Sequence, residues 1–490
     1  MTEGLKRIFG SIIVAVVLIL FDANGFARAE QLSSHDARVA KAALEAIDKR
    51  KWAKARRFTS LINNPLARKL ARWAAYIKGG GDATFQEIAG FIANNPNWPK
   101  QFLLRRRAEG LMAGDTPHSM VIDWFRTYPP LSAIGKERLG AALLAIGERN
   151  QGKAVLRDAW INGNFTKGQE KRYYKRYRSL LTLEDHVIRL DRLLWDGRKW
   201  PARRMMWKVD PGFRALSEAR YSLRYKQGNV DKAIAKVPDN LKDDPGLAFD
   251  RIRWRRQKGR DEAARELFLT LPDNLFHLDK WWKERNYMAR LALRKGHVSE
   301  SYRIVKNHGL KEGRNFAQAE WMAGWIALRF LNEYKVALDH FTTMFNSVKY
   351  PASRSRGAYW AGRAAKAMND PKAAKKWFRI AAGNPTNYHG QLALARLNPG
   401  RGMVPRGDPI IKISDVNAFN NHELARTARI LYALDNQELM KSFVLSLSNV
   451  DDSPKWRFMT ASLARAHDRP DLAIYVSKLS MNYSTQGIRR

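Results

Sequence analysis

The chain has 490 residues, 45% hydrophobic and 11% aromatic, which excludes a disordered polymer and exceeds what one compact domain holds. It has no cysteine, which excludes disulfides, thiolate metal sites and cysteine nucleophiles together. Its 87 Lys and Arg face 47 Asp and Glu, a formal charge of +40, and such a field attracts polyanions: nucleic acid, anionic lipid or an acidic cell-wall polymer.

At the N-terminus, Lys6 and Arg7 precede an apolar run over 8–21, and Ala27-Arg28-Ala29 follows as an A-x-A cleavage site. Residues 1–29 therefore read as a signal peptide, with the mature chain starting near Glu30. The run is short for a spanning helix, so no stable membrane anchor is expected after cleavage. Export to a bacterial periplasm is the expected localisation, and export argues against nucleic acid as the partner. A basic surface that serves only solubility is the bland alternative.

From about residue 30 the chain repeats itself. A turn residue ends one helix and a small residue follows five positions later: Gly197 and Ala202, Gly228 and Ala233, Gly259 and Ala264, Gly296 and Ser301, Asn332 and Ala337, Asn369 and Ala374. The turns recur every 31 to 37 residues, the period of tetratricopeptide-type helical hairpins. Gly or Asn accepts the left-handed conformation that ends the first helix, and the small residue lets the second helix approach. In residues 357–382, Trp360, Ala364 and Ala367 share one helical face. Asp370 can then cap the next helix and Pro371 suits its first turn. The expected fold is all-α: a right-handed superhelix of paired helices, with no alternating strand pattern anywhere.

"NPGRGMVPRGDP" (398–409) is rich in Pro and Gly and should break the array. Helical pattern resumes after it, over 422–436 and 457–479. This gives a helical array over 30–398, a linker at 399–409 and a short helical domain over 410–482, with a polar tail at 483–490.

Catalytic motifs are scarce. There is no H-E-x-x-H, no phosphate-binding G-x-x-x-x-G-K-[ST] and no G-x-S-x-G, and no metal or cofactor is expected. The scattered histidines, His340 among them, read as surface or packing residues. "KRYYKRYR" (171–178) and "RIRWRRQKGR" (251–260) interleave cations with aromatics. Lys171, Arg172, Lys175, Arg176, Arg251 and Arg255 are candidates for polyanion contact, against the alternative of a solvated face over buried rings. Trp281, Trp282, Trp321, Trp325 and Trp360 are numerous enough to stack on sugars, but their helical spacing places most of them in the core.

Four stretches carry a resemblance: "FIANNPNWP" (91–99) with "LRRRAE" (104–109), "AEWMAGWIALRF" (319–330), "YPASRSRGAYWAGRAAKA" (350–367) and "NYHGQLALARL" (387–397). In their order and spacing, after an export signal, they resemble the soluble lytic murein transglycosylases. One departure is His389, where that family's pattern has an aromatic before Gly-Gln. The resemblance implies a ring-shaped helical superhelix, then a helical linker domain, then a lysozyme-like catalytic domain. It also implies non-hydrolytic cleavage of the MurNAc–GlcNAc bond, leaving a 1,6-anhydro end, with one Glu serving as acid and then base. Peptidoglycan glycan strands are the partner it implies.

The family's catalytic Glu sits in a Glu-Ser pair followed by Gly-Leu-Met-Gln. Glu300-Ser301 is the only such pair after the signal, but Ser301 falls on the repeat's small-residue position, and Gly309-Leu310 is followed by Lys311-Glu312. Gly110-Leu111-Met112 leads to Ala113 and precedes the pair. Glu300 is therefore rejected, and no catalytic residue carries over. The expectation is a chain that ends where a catalytic domain should begin, its last residues, 482–490, read in a shifted frame, and that is inactive alone. Two alternatives stand beside it: a periplasmic helical-repeat scaffold for other proteins, or one half of a split enzyme whose catalytic half is a separate chain.

Overall fold

The computed structural model describes residues 32–483, apart from 81, 272–274, 401, 402 and 404–406, and gives the backbone alone for 480–483. The signal peptide and nearly all of the polar tail lie outside the described residues. Within them are 27 α-helices and no β-strand, as the helical periodicity requires. No helix among them is long and apolar enough to cross a membrane.

The repeat is built at its turns as the sequence dictates at five of the six positions; the helix Pro211–Tyr225 ends instead at left-handed Lys226, two residues before Gly228. All six turn residues have positive φ: 68° at Gly197, 67° at Gly228, 71° at Gly259, 82° at Gly296, 56° at Asn332 and 59° at Asn369. At four of them the amide just beyond the turn reaches back five residues, as in Arg198 N to Leu193 O at 2.8 Å and Asp370 N to Ala365 O at 3.0 Å. This closes the carbonyls that a helix end leaves unpaired. Of the six small residues, all but Ala233 are buried. The turn at Asn332 is wider. Residues Ala327–Leu331 form a π-helical turn, and Glu333 N reaches Ala327 O six residues back, at 3.0 Å.

By packing, the chain forms two compact units. One is the described part of Met1–Ala159, Gly163–Phe165 and Arg406–Arg490; the other comprises Trp160–Asn162 and Thr166–Pro405. In the first unit, helices from both ends of the chain share one apolar core. Trp73 and Trp98 stand edge-on to each other and to Phe443, with centroids 4.9 Å and 5.1 Å from the Phe443 ring. Trp73 lies on Pro65–Lys78 and Phe443 on Gln437–Leu447. Glu109, fully buried, caps the start of Ala133–Ala145 by accepting from Leu131 N at 2.6 Å and Ser132 N at 2.8 Å. No helix lies between Leu397 and Ile413 among the described residues.

The second unit is a succession of antiparallel hairpins, each packed on the next. Glycines set the helix approach where aromatics intrude. A methyl group on Gly362 would lie 2.7 Å from the Phe378 ring, and one on Gly324 would lie 2.8 Å from Phe341. A real β-carbon fits at neither position without displacing the neighbouring helix. Asp370 caps Pro371–Ala382 through Ala373 N at 2.8 Å, and Pro371 occupies its first turn, as the local sequence requires.

Candidate functional site

Three of the four stretches that carry the family resemblance meet in the second unit. The helices Gly313–Ile326, Pro351–Ala367 and Tyr388–Leu397 hold them. Arg356 places its guanidinium 3.9 Å from the Trp321 ring centroid. Trp321 stands edge-on to Trp360 at 5.9 Å and stacks on Trp325 at 5.8 Å. Arg396 Nε donates to the Tyr359 hydroxyl at 3.1 Å, and Arg363 reaches the same oxygen at 3.5 Å. The His389 ring lies 5.6 Å from the Tyr359 ring.

The electrostatics of this cluster are one-sided. None of Arg356, Arg363 and Arg396 pairs with a carboxylate among the described residues. Burial, and secondarily Arg290, lowers Arg356 to about 10. Burial and Arg356 lower His389 to about 4. At Tyr359, burial acts upward, but the hydrogen bonds from Arg363 and Arg396 outweigh it and hold the phenol below its ordinary value. A half-buried guanidinium without a counter-ion costs free energy unless an anion meets it. The arrangement can hold a carboxylate through charge-assisted hydrogen bonds.

The residues singled out from sequence fall in several places. Lys171, Arg172, Lys175 and Arg176 all project from Lys167–Tyr177 into solvent, while Tyr173 and Tyr177 are buried beneath them. The four cations are thus open to solvent over a layer of buried rings. Arg251 and Arg255, on Pro245–Gln257, line an open pocket of about 400 Å³ with Trp254 and Arg260. Arg255 is tied down there, donating to Ala263 O at 2.7 Å, and Arg260 lies over Trp254 at 5.2 Å. None of the four cations at 171–176 lines that pocket.

Glu300 sits on Val298–Lys306, its carboxylate 2.8 Å from Arg265 Nε. Ser301 is fully buried and donates to Ala289 O at 2.8 Å. The pair thus serves hairpin packing. Trp281 and Trp282 are core residues, and Trp321, Trp325 and Trp360 are half-buried.

Sequence reasoning missed two features. His340 belongs to a chain of hydrogen bonds. The Tyr302 hydroxyl meets His340 Nε2 at 3.0 Å, His340 Nδ1 meets Glu320 Oε2 at 2.6 Å, and Glu320 Oε1 meets His308 Nε2 at 3.0 Å. Leu310 N donates to His308 Nδ1, which leaves Nε2 to carry the proton shared with Glu320. Among the described residues no group of His, Asp and Glu is placed to hold a metal. The second missed feature is a pair of exposed indoles, Trp200 and Trp207. Exposure has no local signature, because both lie in a segment whose other residues follow helical spacing.

No protein-family model matches the chain, and no curated protein does. Solved structures do. The chain is similar to an inactive mutant of the lytic transglycosylase Slt from Pseudomonas aeruginosa, with a TM-score of 0.62 at 16% identity, over 91% of this chain and 70% of that one. It is also similar to the 70 kDa soluble lytic transglycosylase from Escherichia coli, with a TM-score of 0.52 at 11% identity, over 89% of this chain and 71% of that one. At these identities the likeness is one of fold.

Proposed function

We propose that this chain is the murein-engaging helical scaffold of a periplasmic soluble lytic transglycosylase, which holds glycan strands and does not itself cleave them. The observation that carries the proposal is the cluster of Arg356, Arg363 and Arg396, cations that have no carboxylate partner among the described residues and rest on Trp321 and Tyr359. Murein carries free carboxylates on its stem peptides and on lactyl groups that bear no peptide, so it supplies the missing counter-charge. The fold shared with solved lytic transglycosylases and the four resembling stretches support the same reading.

Cleavage in that family needs a positioned carboxyl whose pKa is tuned for proton transfer. The one Glu-Ser candidate, Glu300, is engaged by Arg265 instead. Under this proposal residues 1–29 are a cleaved export signal, 30–398 form the superhelical domain, and 410–482 form the linker domain beyond 399–409.

The test is co-sedimentation of the purified chain with murein sacculi, followed by mass spectrometry of the supernatant. The chain is expected to pellet with sacculi and to be released by salt, since exposed charges are screened beyond roughly 10 Å at 0.1 M ionic strength. No anhydro-muropeptides are expected. Failure to pellet overturns the binding role; anhydro products at enzymatic turnover overturn the non-cleaving one.

A further inference from the structure

Of the sixteen tryptophans, fourteen are buried or half-buried, while Trp200 and Trp207 are 58% and 71% exposed. An indole left in water forgoes one of the largest burial gains any side chain offers. Both sit on one short segment, the helix Lys199–Met205 and the 3₁₀ turn Met206–Lys208. They line one open pocket of about 430 Å³ together with Lys167, Arg203 and Arg204.

The segment is held firmly from behind. Ala202 and Met205 are fully buried. Arg204 is anchored by the buried Glu170, with Nη2 2.8 Å from Oε2 and Nε 3.3 Å from Oε1. Arg214 lies over the Trp207 ring at 4.6 Å while its Nε donates to Met206 O at 3.0 Å. One indole is thus fixed by a guanidinium that is itself fixed. Lys167 and Arg203 are exposed, and neither pairs with a carboxylate among the described residues.

We propose that Trp200, Trp207, Lys167 and Arg203 form a binding site for an acidic saccharide. A sugar ring presents C–H bonds to the electron-rich indole faces, and the free carboxylates of the peptide it carries meet the cations. A nucleic-acid strand also stacks on aromatics, but it carries a charge on every nucleotide and is held by many cations along its backbone. Lys199 also lies over the Trp200 ring at 5.3 Å and Arg214 over the Trp207 ring at 4.6 Å, and this small group of cations beside two indoles suits a polymer whose carboxylates are sparse. The proposal rests on the murein reading and adds to it the place where a strand is gripped.

The test is calorimetric titration of the full chain with a soluble disaccharide-peptide fragment of murein, with sacculus sedimentation in parallel. Because both indoles and both cations are exposed, Trp200→Ala/Trp207→Ala and Lys167→Gln/Arg203→Gln are expected to keep the parent's circular dichroism and melting temperature. The double tryptophan variant is expected to lose about tenfold or more in affinity. The double cation variant is expected to weaken binding and flatten its salt dependence. An uncharged oligomer of N-acetylglucosamine is expected to bind the parent more weakly and to be indifferent to the cation change. If the parent binds and both variants bind equally well, this site is wrong and the murein reading stands. If the parent binds neither fragment nor sacculi, both fall. Tighter, tryptophan-dependent binding of a single-stranded oligonucleotide makes it a nucleic-acid site and also overturns the proposal.

Discussion

Lys69 donates to Glu423 across 2.5 Å, joining residues 354 positions apart in the chain. The other oxygen of Glu423 accepts from Trp98 Nε1 at 3.2 Å. This carboxylate stands at the edge of the core in which Trp73, Trp98 and Phe443 meet, so the first unit is closed by contacts between the two ends of the polypeptide.

Those contacts make a graded prediction for urea unfolding of the first unit. Phe443→Ala is expected to cost about 3 to 5 kcal/mol, because it empties the space between two buried indoles. Glu423→Gln is expected to cost about 1 kcal/mol, since Lys69 and Glu423 are partly exposed. Equal losses from the two changes would contradict this description of the core.

The carboxylate between His308 and His340 sets a pH dependence. Burial alone would raise Glu320, but the hydrogen bonds from the two histidines outweigh it and hold it at about 2, against an ordinary 4.5. Its folded value is depressed, so its contribution is complete above about pH 4.5 and is lost as pH falls toward 2. Allowing for solvent screening, the contribution is on the order of 2 kcal/mol. The stability difference between the parent and Glu320→Gln should shrink across that window. A difference that stays constant from pH 6 to 2 tells against the network.

His389 works in another window. Its folded value is about 4 against an ordinary 6.5, through burial and the nearby Arg356. Between those limits the unfolded chain takes up a proton that the folded one refuses, so stability falls as pH drops from 6.5 toward 4. The loss is on the order of 1 to 2 kcal/mol once solvent screening is allowed for. His389→Phe keeps the ring against Tyr359 and should remove this slope; thermal melts at pH 7 and pH 4.5 would show it.

The arginine cluster predicts a binding phenotype separate from stability. Replacing Arg356, Arg363 and Arg396 by Gln should weaken sacculus binding about tenfold or more and reduce its dependence on salt. Replacing Lys171, Arg172, Lys175 and Arg176 by Gln should have a smaller effect, because those four stand on a solvated face. The reverse order would move the main anionic contact from the arginine cluster to the face that bears Lys171, Arg172, Lys175 and Arg176.

The hairpin repeat was legible because its signals are local. Gly197, Gly228, Gly259, Gly296, Asn332 and Asn369 all adopt the left-handed conformation that their side chains tolerate. Four further turns carry no Gly or Asn signal: Arg50, Lys226, Asp435 and Asp468 occupy the same conformation, at φ of 52°, 54°, 56° and 56°. Each closes the same hydrogen bond: Lys51 N to Ala46 O, Gln227 N to Ser222 O, Asn436 N to Leu431 O and Arg469 N to Ala464 O. The surrounding packing imposes on these residues what Gly would adopt freely.

The sequence by itself determined the helical class, five of the six turn positions and the small residues at hairpin crossings, since each follows from backbone energetics within a few residues. Tertiary structure alone decided that Phe443 lies between Trp73 and Trp98, that Glu320 is shared by two histidines, and that Trp200 and Trp207 face water. Helical spacing tells which residues share a face. Which distant helix covers that face, or whether none does, depends on apolar burial summed over the whole chain, and no local pattern carries that sum.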